Sequence, residues 1–148
     1  MYRLLLTLVF VAFIACSTEP KPINYGTDIC DHCGMNIMDH PYGTELVTDK
    51  GKVYKFDSTE CMLSYMETNE NRNYAHILTA TMDQPGTLQN ALTSSFLVSE
   101  NLPSPMGANI TAYTTKELAQ EAQNEFKGEV YDFEEIKKHQ SGNSSQHH

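Results

Sequence analysis

The pattern of apolar and polar positions from Thr44 onward predicts alternating short strands and helices. "TELVTDKGKVYKF" (44–56) carries two runs rich in Val, Leu, Tyr and Phe around a charged centre with Gly51, which predicts a β-hairpin turning at Lys50-Gly51. A two-residue loop there sets Val47 opposite Tyr54. In "FDSTECMLSYMETNE" the period lengthens: Cys61 and Tyr65, and Met62 and Met66, recur at i, i+4, giving a helix with an apolar face. Asp57 with Glu60 three residues on is a capping-box pattern at its start. "NENRN" ends the helix, "YAHILTATM" reads as a strand and "DQPG" as a turn. Strands at "SSFLVS" and "ANITAY" follow, separated by the loop "ENLPSPMG". Thr114 and Glu117 then open a second helix that presents Leu118, Ala122 and Phe126 on one face and stops at Gly128. "EVYDF" closes the pattern as a strand.

A Met-bearing loop, strand, helix and strand thus occur in order twice, around Met35 and around Met106. The fold class is α+β, with two related small β/α units (hairpin or strand, helix, strand) forming one compact domain. A length of 148 residues suits one such domain and not two. The domain is expected over 29–136. Residues 16–28, with Pro20, Pro22 and few large apolar side chains, read as a flexible tether, and 137–148 as a polar, disordered tail.

Residues 1–15 stand apart from the fold. A short basic start, "MYR", precedes the apolar run "LLLTLVFVAFIA", which is shorter than the ~20 residues a membrane-spanning helix needs and suits a signal peptide. Ala15-Cys16 directly after that run resembles a bacterial lipobox, although Phe13 and Ile14 stand where that motif usually has Leu and a small residue. Lipidation of Cys16 would anchor the mature chain to a membrane of the cell envelope, facing the periplasm. The formal charge of −9, from 19 acidic and 10 basic residues, leaves no Lys/Arg stripe for phosphates and argues against nucleic acid as a partner.

With Cys16 lipidated, Cys30, Cys33 and Cys61 remain. Three is odd, so one thiol at least has no disulfide partner within the chain, and metal ligation is one reason to keep thiols in an oxidising compartment. The stretch "ICDHCGMNIMDH" (29–40) concentrates the chemistry: a Cys-x-x-Cys pair, His32 between the cysteines, and Met35 and Met38 just after. Three readings stay open. A structural zinc knuckle wants four Cys/His ligands, and no second Cys-x-x-Cys exists. A thiol–disulfide oxidoreductase wants its first Cys at a helix N-terminus, whereas Gly34, Pro41 and Gly43 do not favour a helix. A Cu(I) site needs only two thiolates and one Met or His, and Met106 sits in a Pro-flanked loop, not on an apolar stripe. Met62, Met66 and Met82 read as core fillers, Cys61 as a buried inert thiol with a ligand or disulfide role as the alternative, and His76 as a packed or surface residue. His139, His147 and His148 have the chemistry to hold metal loosely, a solvated tail being the alternative. No Ser/His/Asp arrangement, catalytic carboxylate pair or phosphate-binding Gly loop has working spacing, so the chain reads as a binding protein and not an enzyme.

"CDHCGM" (30–35), "GKVYKFDSTECMLSY" (51–65) and "PMGANITAY" (105–113) together resemble the NosL family, copper-carrying lipoproteins of nitrous oxide reductase maturation. The resemblance implies a fold of two related β/α units and a Cu(I) chaperone outside the cytoplasm. Its copper chemistry would fall on Cys30, Cys33 and Met106, with Met35 and His32 as further candidates. Its partner would be a copper-enzyme assembly complex or the apo copper enzyme itself.

The lipid anchor has a direct test. Cys16→Ser should release the folded domain from washed membranes, followed by fractionation and immunoblotting. A Cys16→Ser protein that stays in the membrane with its signal peptide cleaved would refute the anchor.

Overall fold

The computed structural model describes residues 17–144, with side chains to Asn143; Cys16, the signal segment, His147 and His148 lie outside the described residues. Strands β1 (Thr44–Thr48) and β2 (Val53–Phe56) form the expected hairpin, but its register differs by one residue: Leu46 faces Tyr54 and Val47 faces Val53. The turn explains the slip. The Thr48 N–H donates to the Lys52 carbonyl at 2.9 Å and the Gly51 N–H to the Thr48 carbonyl at 2.8 Å, so the loop holds three residues, not two. Gly51 takes φ +78°, the left-handed position that closes a three-residue hairpin loop.

The predicted first helix is α1 (Thr59–Thr68), capped by Ser58 and not by Asp57: the Ser58 hydroxyl accepts from the Cys61 N–H at 3.3 Å. Strand β3 (Tyr74–Thr81) returns antiparallel to β1. "DQPG", expected as a turn only, begins a further strand, β4 (Gln84–Asn90), on the sheet edge, where Pro85 is tolerated because one side of the strand has no ladder to serve. The second unit repeats the connectivity. β5 (Ser95–Val98) and β6 (Ile110–Tyr113) form a hairpin, α2 (Lys116–Phe126) follows, and β7 (Glu129–Tyr131) returns antiparallel to β5. The sheet orders β2-β1-β3-β4 and β6-β5-β7 therefore share one motif, a hairpin whose first strand sits between its partner and the strand after the helix. Helix α2 is capped by Thr115, since Thr114 is engaged by Asp83 through its N–H (2.9 Å) and hydroxyl (2.6 Å).

Two apolar clusters fill the interior. Phe56, Leu46, Met62, Phe96 and Ile110 centre the larger one, which draws on both sheets and α1; Leu97, Tyr113 and Ala119 centre the smaller one, joined by Met82 and by the predicted face Leu118, Ala122 and Phe126. The methionines at 62 and 66 are buried core residues, as their spacing predicts.

Both chain ends are more ordered than expected. Residues 21–28 are not a free tether: Lys21 N–H donates to Glu45 at 2.9 Å, Lys55 bridges to Asp28 at 2.6 Å, and Ile23 and Tyr25 pack on the core. At the other end the chain forms α3 (Phe133–Ser144), so the tail expected to be disordered from residue 137 is helical as far as Ser144. Asp132 and Glu135 make a reciprocal capping box, each accepting the other's N–H at 2.9 Å, and Phe133 and Ile136 are buried, Phe133 against Phe96 at 6.1 Å between ring centroids. Among the described residues no helix is long and apolar enough to cross a membrane.

If α3 is an integral part of the core, Ile136→Ala should destabilise the fold by about 2–4 kcal/mol, the usual cost of such a cavity. Urea unfolding checks it; an unchanged midpoint would mean that α3 is not docked.

Candidate metal centre

The Cys-x-x-Cys segment is held as a tight loop by its own backbone. Cys30 N–H donates to the Met35 carbonyl at 2.8 Å and Gly34 N–H to the Cys30 carbonyl at 3.0 Å, with Gly34 at φ +76°. Ile37 is buried and anchors the outgoing strand of the loop, bonded to Gly26 and Asp28. Asp31 stitches the loop to β2: its N–H donates to the Lys55 carbonyl at 2.8 Å and its carboxylate accepts from the Lys55 N–H at 2.7 Å. The loop is thereby fixed beside the end of β2, where the chain passes through Asp57 and Ser58 into α1.

That junction completes a cluster. Cys30, Cys33, Asp57 and Cys61 bring one donor atom each within 4.8 Å of one another. Cys30 and Cys61 are 2% and 3% exposed, Asp57 is buried, and Cys33 stands at the edge, half-buried. All three cysteines are free thiols. The Cys33 thiol lies 3.5 Å from one Asp57 oxygen, and Ser58 donates to the other at 3.2 Å.

The three thiols are not alike. A hydrogen bond from the Cys61 thiol is the largest influence on Cys30; burial opposes it, and the N–H groups of Cys33, Asp57 and His32 add to it, so that Cys30 is pulled from 9.0 down to about 6. Cys61, which supplies that proton and also faces Asp57, is pushed up. Cys33 is raised by burial and by the negative groups beside it. Ionisation of Cys30 thus favours the folded state. The contribution is complete above the ordinary thiol value of 9.0 and is lost as pH falls through about 6. Cys33 and Cys61 act in the opposite sense, their share being lost as pH rises above the ordinary thiol range.

Of the residues singled out from the sequence, Cys30 and Cys33 lie in the cluster. Met106 lies on the loop 99–109 between β5 and β6, 42% exposed. Met35 and Met38 are 53% and 60% exposed on the Cys-x-x-Cys segment, and His32 is exposed between the cysteines. His139 lies on α3 against Tyr131, at 5.0 Å between ring centroids. Two cluster members were missed. Cys61 is buried as expected but faces the other thiols, and Asp57 is no helix cap. The available signal was "DSTEC", in which Ser58 is an equally good cap and leaves Asp57 free.

Residues 22–141 match the family described as NosL. The chain belongs to the NosL family. It is 31% identical over 128 residues to the copper-binding lipoprotein NosL of Stutzerimonas stutzeri, covering 81% of this chain and 67% of that protein. The crystal structure of the copper chaperone NosL from Shewanella denitrificans superposes with a TM-score of 0.70 at 26% identity, covering 80% of this chain and 96% of that one. The family resemblance read from the three sequence segments is therefore correct, and the twofold β/α architecture is that of a NosL fold.

In the metal-free protein one thiol should ionise with a midpoint near 6, read from the far-ultraviolet absorbance of the thiolate on titration. Cys61→Ala removes the donor and should move that midpoint upward. An unchanged midpoint would show that Cys61 does not support the Cys30 thiolate.

Proposed function

We propose that this protein is an exported, lipid-anchored carrier of Cu(I) that passes its ion to a copper enzyme during maturation, nitrous oxide reductase being the expected recipient. The observation that carries the reading is the gathering of three free thiols within 4.8 Å of one another, with the exposed thioethers of Met35 and Met38 on the same segment as Cys30 and Cys33. Thiolate and thioether are the ligands that Cu(I) prefers, and the ion tolerates low coordination numbers. The names of the two relatives agree with this reading.

The residues divide the work. Cys30, already acidic, presents a thiolate to the incoming ion, and Cys33 gives up its proton as the ion's charge replaces the repulsion that keeps it protonated. Cys61 lies at the buried base, and Asp57 adds negative charge without bulk. Met106 serves as the exchangeable ligand: a thioether has no charge, binds more weakly than thiolate, and yields to a partner's sulfur. Met35 and Met38 line the route in and out. The chain is a carrier in this scheme, with no turnover of its own. Cys16 holds it to the membrane.

The same cluster supports a second reading. Three cysteines and one aspartate make a complete four-donor set for tetrahedral Zn(II), which removes the objection, raised from sequence, that a zinc site lacked ligands. Anaerobic loading with each metal, followed by metal analysis and chelator competition, separates the two.

For Cu(I), Cys30→Ser or Cys33→Ser should cost orders of magnitude in affinity. Met106→Leu, similar in volume, should cost about tenfold, or ~1.4 kcal/mol. Met62→Leu, in the core, should bind as the unaltered protein does. Wild-type affinity in Cys30→Ser would refute the site. Weak binding by Met62→Leu together with normal binding by Met106→Leu would refute the thioether assignment.

A further inference from the structure

Glu60 is a buried carboxylate that the thiol cluster does not use. It sits in the first turn of α1, one residue before Cys61, and is 4% exposed. No cation pairs with it among the described residues: the salt bridge there is Lys55 to Asp28. Burying a carboxylate without a counter-charge is costly unless several donors converge on it, and besides its own N–H its donors come from one place. Ser104 donates its hydroxyl to one oxygen, Oε1. The N–H groups of Met106 and Ala108 are directed at the carboxylate, without closing to full hydrogen-bond geometry on its second oxygen, Oε2, which is buried and unpartnered. These three donors belong to the loop between β5 and β6.

The loop is shaped around that contact. The Ser104 hydroxyl, while donating to Glu60, accepts from the Asn109 N–H at 2.8 Å, and the Ser104 carbonyl accepts from the Gly107 N–H at 3.0 Å. Gly107 and Asn109 hold φ +81° and +61°, so the chain doubles back between them. Met106 stands at the tip of this fold-back, exposed, while Ser104 beneath it is buried. Ala108 packs on the apolar cluster that contains Cys30 and Cys61.

We propose that Glu60 is a positioning residue for the Met106 thioether: its carboxylate clamps the 104–109 loop to the helical turn that carries Cys61 and so holds the thioether beside the thiols. The proposal rests on Met106 serving as a Cu(I) ligand. An amide at position 60 presents an NH2 group to donors and cannot satisfy all three; Asp is one methylene too short to reach them from the same turn.

The test is a double-mutant cycle on the full chain, read by anaerobic Cu(I) competition against a chelator. Glu60→Gln should lose about as much affinity as Met106→Leu, about tenfold, and Ser104→Ala should lose a smaller factor. The double variant Glu60→Gln/Met106→Leu should bind no more weakly than Met106→Leu alone, because there is no longer a thioether to place. Zn(II) affinity, which draws on thiolates and carboxylate and not on a thioether, should be unchanged in Glu60→Gln and Ser104→Ala. Additive losses in the double variant, about hundredfold in total, or parallel losses of Zn(II), would mean that Glu60 supports the fold and does not position Met106. Wild-type Cu(I) affinity in Glu60→Gln would also overturn the proposal. Wild-type affinity in Met106→Leu would instead overturn the ligand assignment on which it rests, and the proposal with it. Should Glu60→Gln fail to fold, Ser104→Ala paired with Met106→Leu carries the same cycle.

Discussion

Everything at the metal centre depends on the hydrogen bond from the Cys61 N–H to the Ser58 hydroxyl. It ends β2, starts α1, and fixes Asp57 and Ser58 between them in one tight junction. Asp57, just ahead of the cap, is turned toward the thiols; Cys61, three residues after it, is set on the face of α1 that looks at the Cys-x-x-Cys loop. Were Asp57 the cap, the helix would begin a residue earlier and rotate Cys61 by about 100° around the helix axis. The loop itself is brought to this junction by the paired bonds between Asp31 and Lys55. A local capping choice therefore decides which side chains meet.

The assembled cluster is an electrostatic problem in the absence of a cation. Three thiols stand beside a carboxylate in a space less than 5 Å across, largely out of water, and the three thiols cannot all ionise there. The arrangement settles on one thiolate: Cys30 takes the donated hydrogen bond and the surrounding N–H groups, while Cys33 and Cys61 keep their protons. A bound metal cation would reverse that balance by supplying the positive charge that the protein withholds. Affinity for a soft cation and proton release are thus one property. The two faces of the site differ accordingly, with a buried base at Cys30 and Cys61 and an open lip at Cys33, where an ion can arrive and depart.

The repeated architecture accounts for the second half of the chain at this site. The hairpin of the first unit closes with a three-residue loop at Gly51; the corresponding hairpin of the second unit spends residues 99–109 on its connection. That longer loop reaches across to α1 and places Met106 over the end of the helix that bears Cys61. One unit carries the thiols and the other the exposed Met106.

The sequence by itself determined the elements with strong periodicity: the hairpin at 44–56, both i, i+4 helices, the α+β class and the twofold order of units. It also singled out the Cys-x-x-Cys pair, because a chelating turn is a local feature written in four consecutive residues. It did not determine register, since Lys50-Gly51 suits a two-residue and a three-residue loop, and the choice lies in the pairing of Thr48 with Lys52 across the ladder. Helix α3 was missed because "KKHQSGNS" is polar; its stability comes from Phe133 and Ile136 meeting the core, which no local pattern records. That Cys61 and Asp57 stand beside the Cys-x-x-Cys pair was not legible, for the same reason. On an isolated helix, a Cys in an apolar stripe is core and an Asp at the start is a cap. Only the tertiary structure, by docking a loop from residue 30 against that helix start, gathered both with Cys30 and Cys33 into a candidate metal centre.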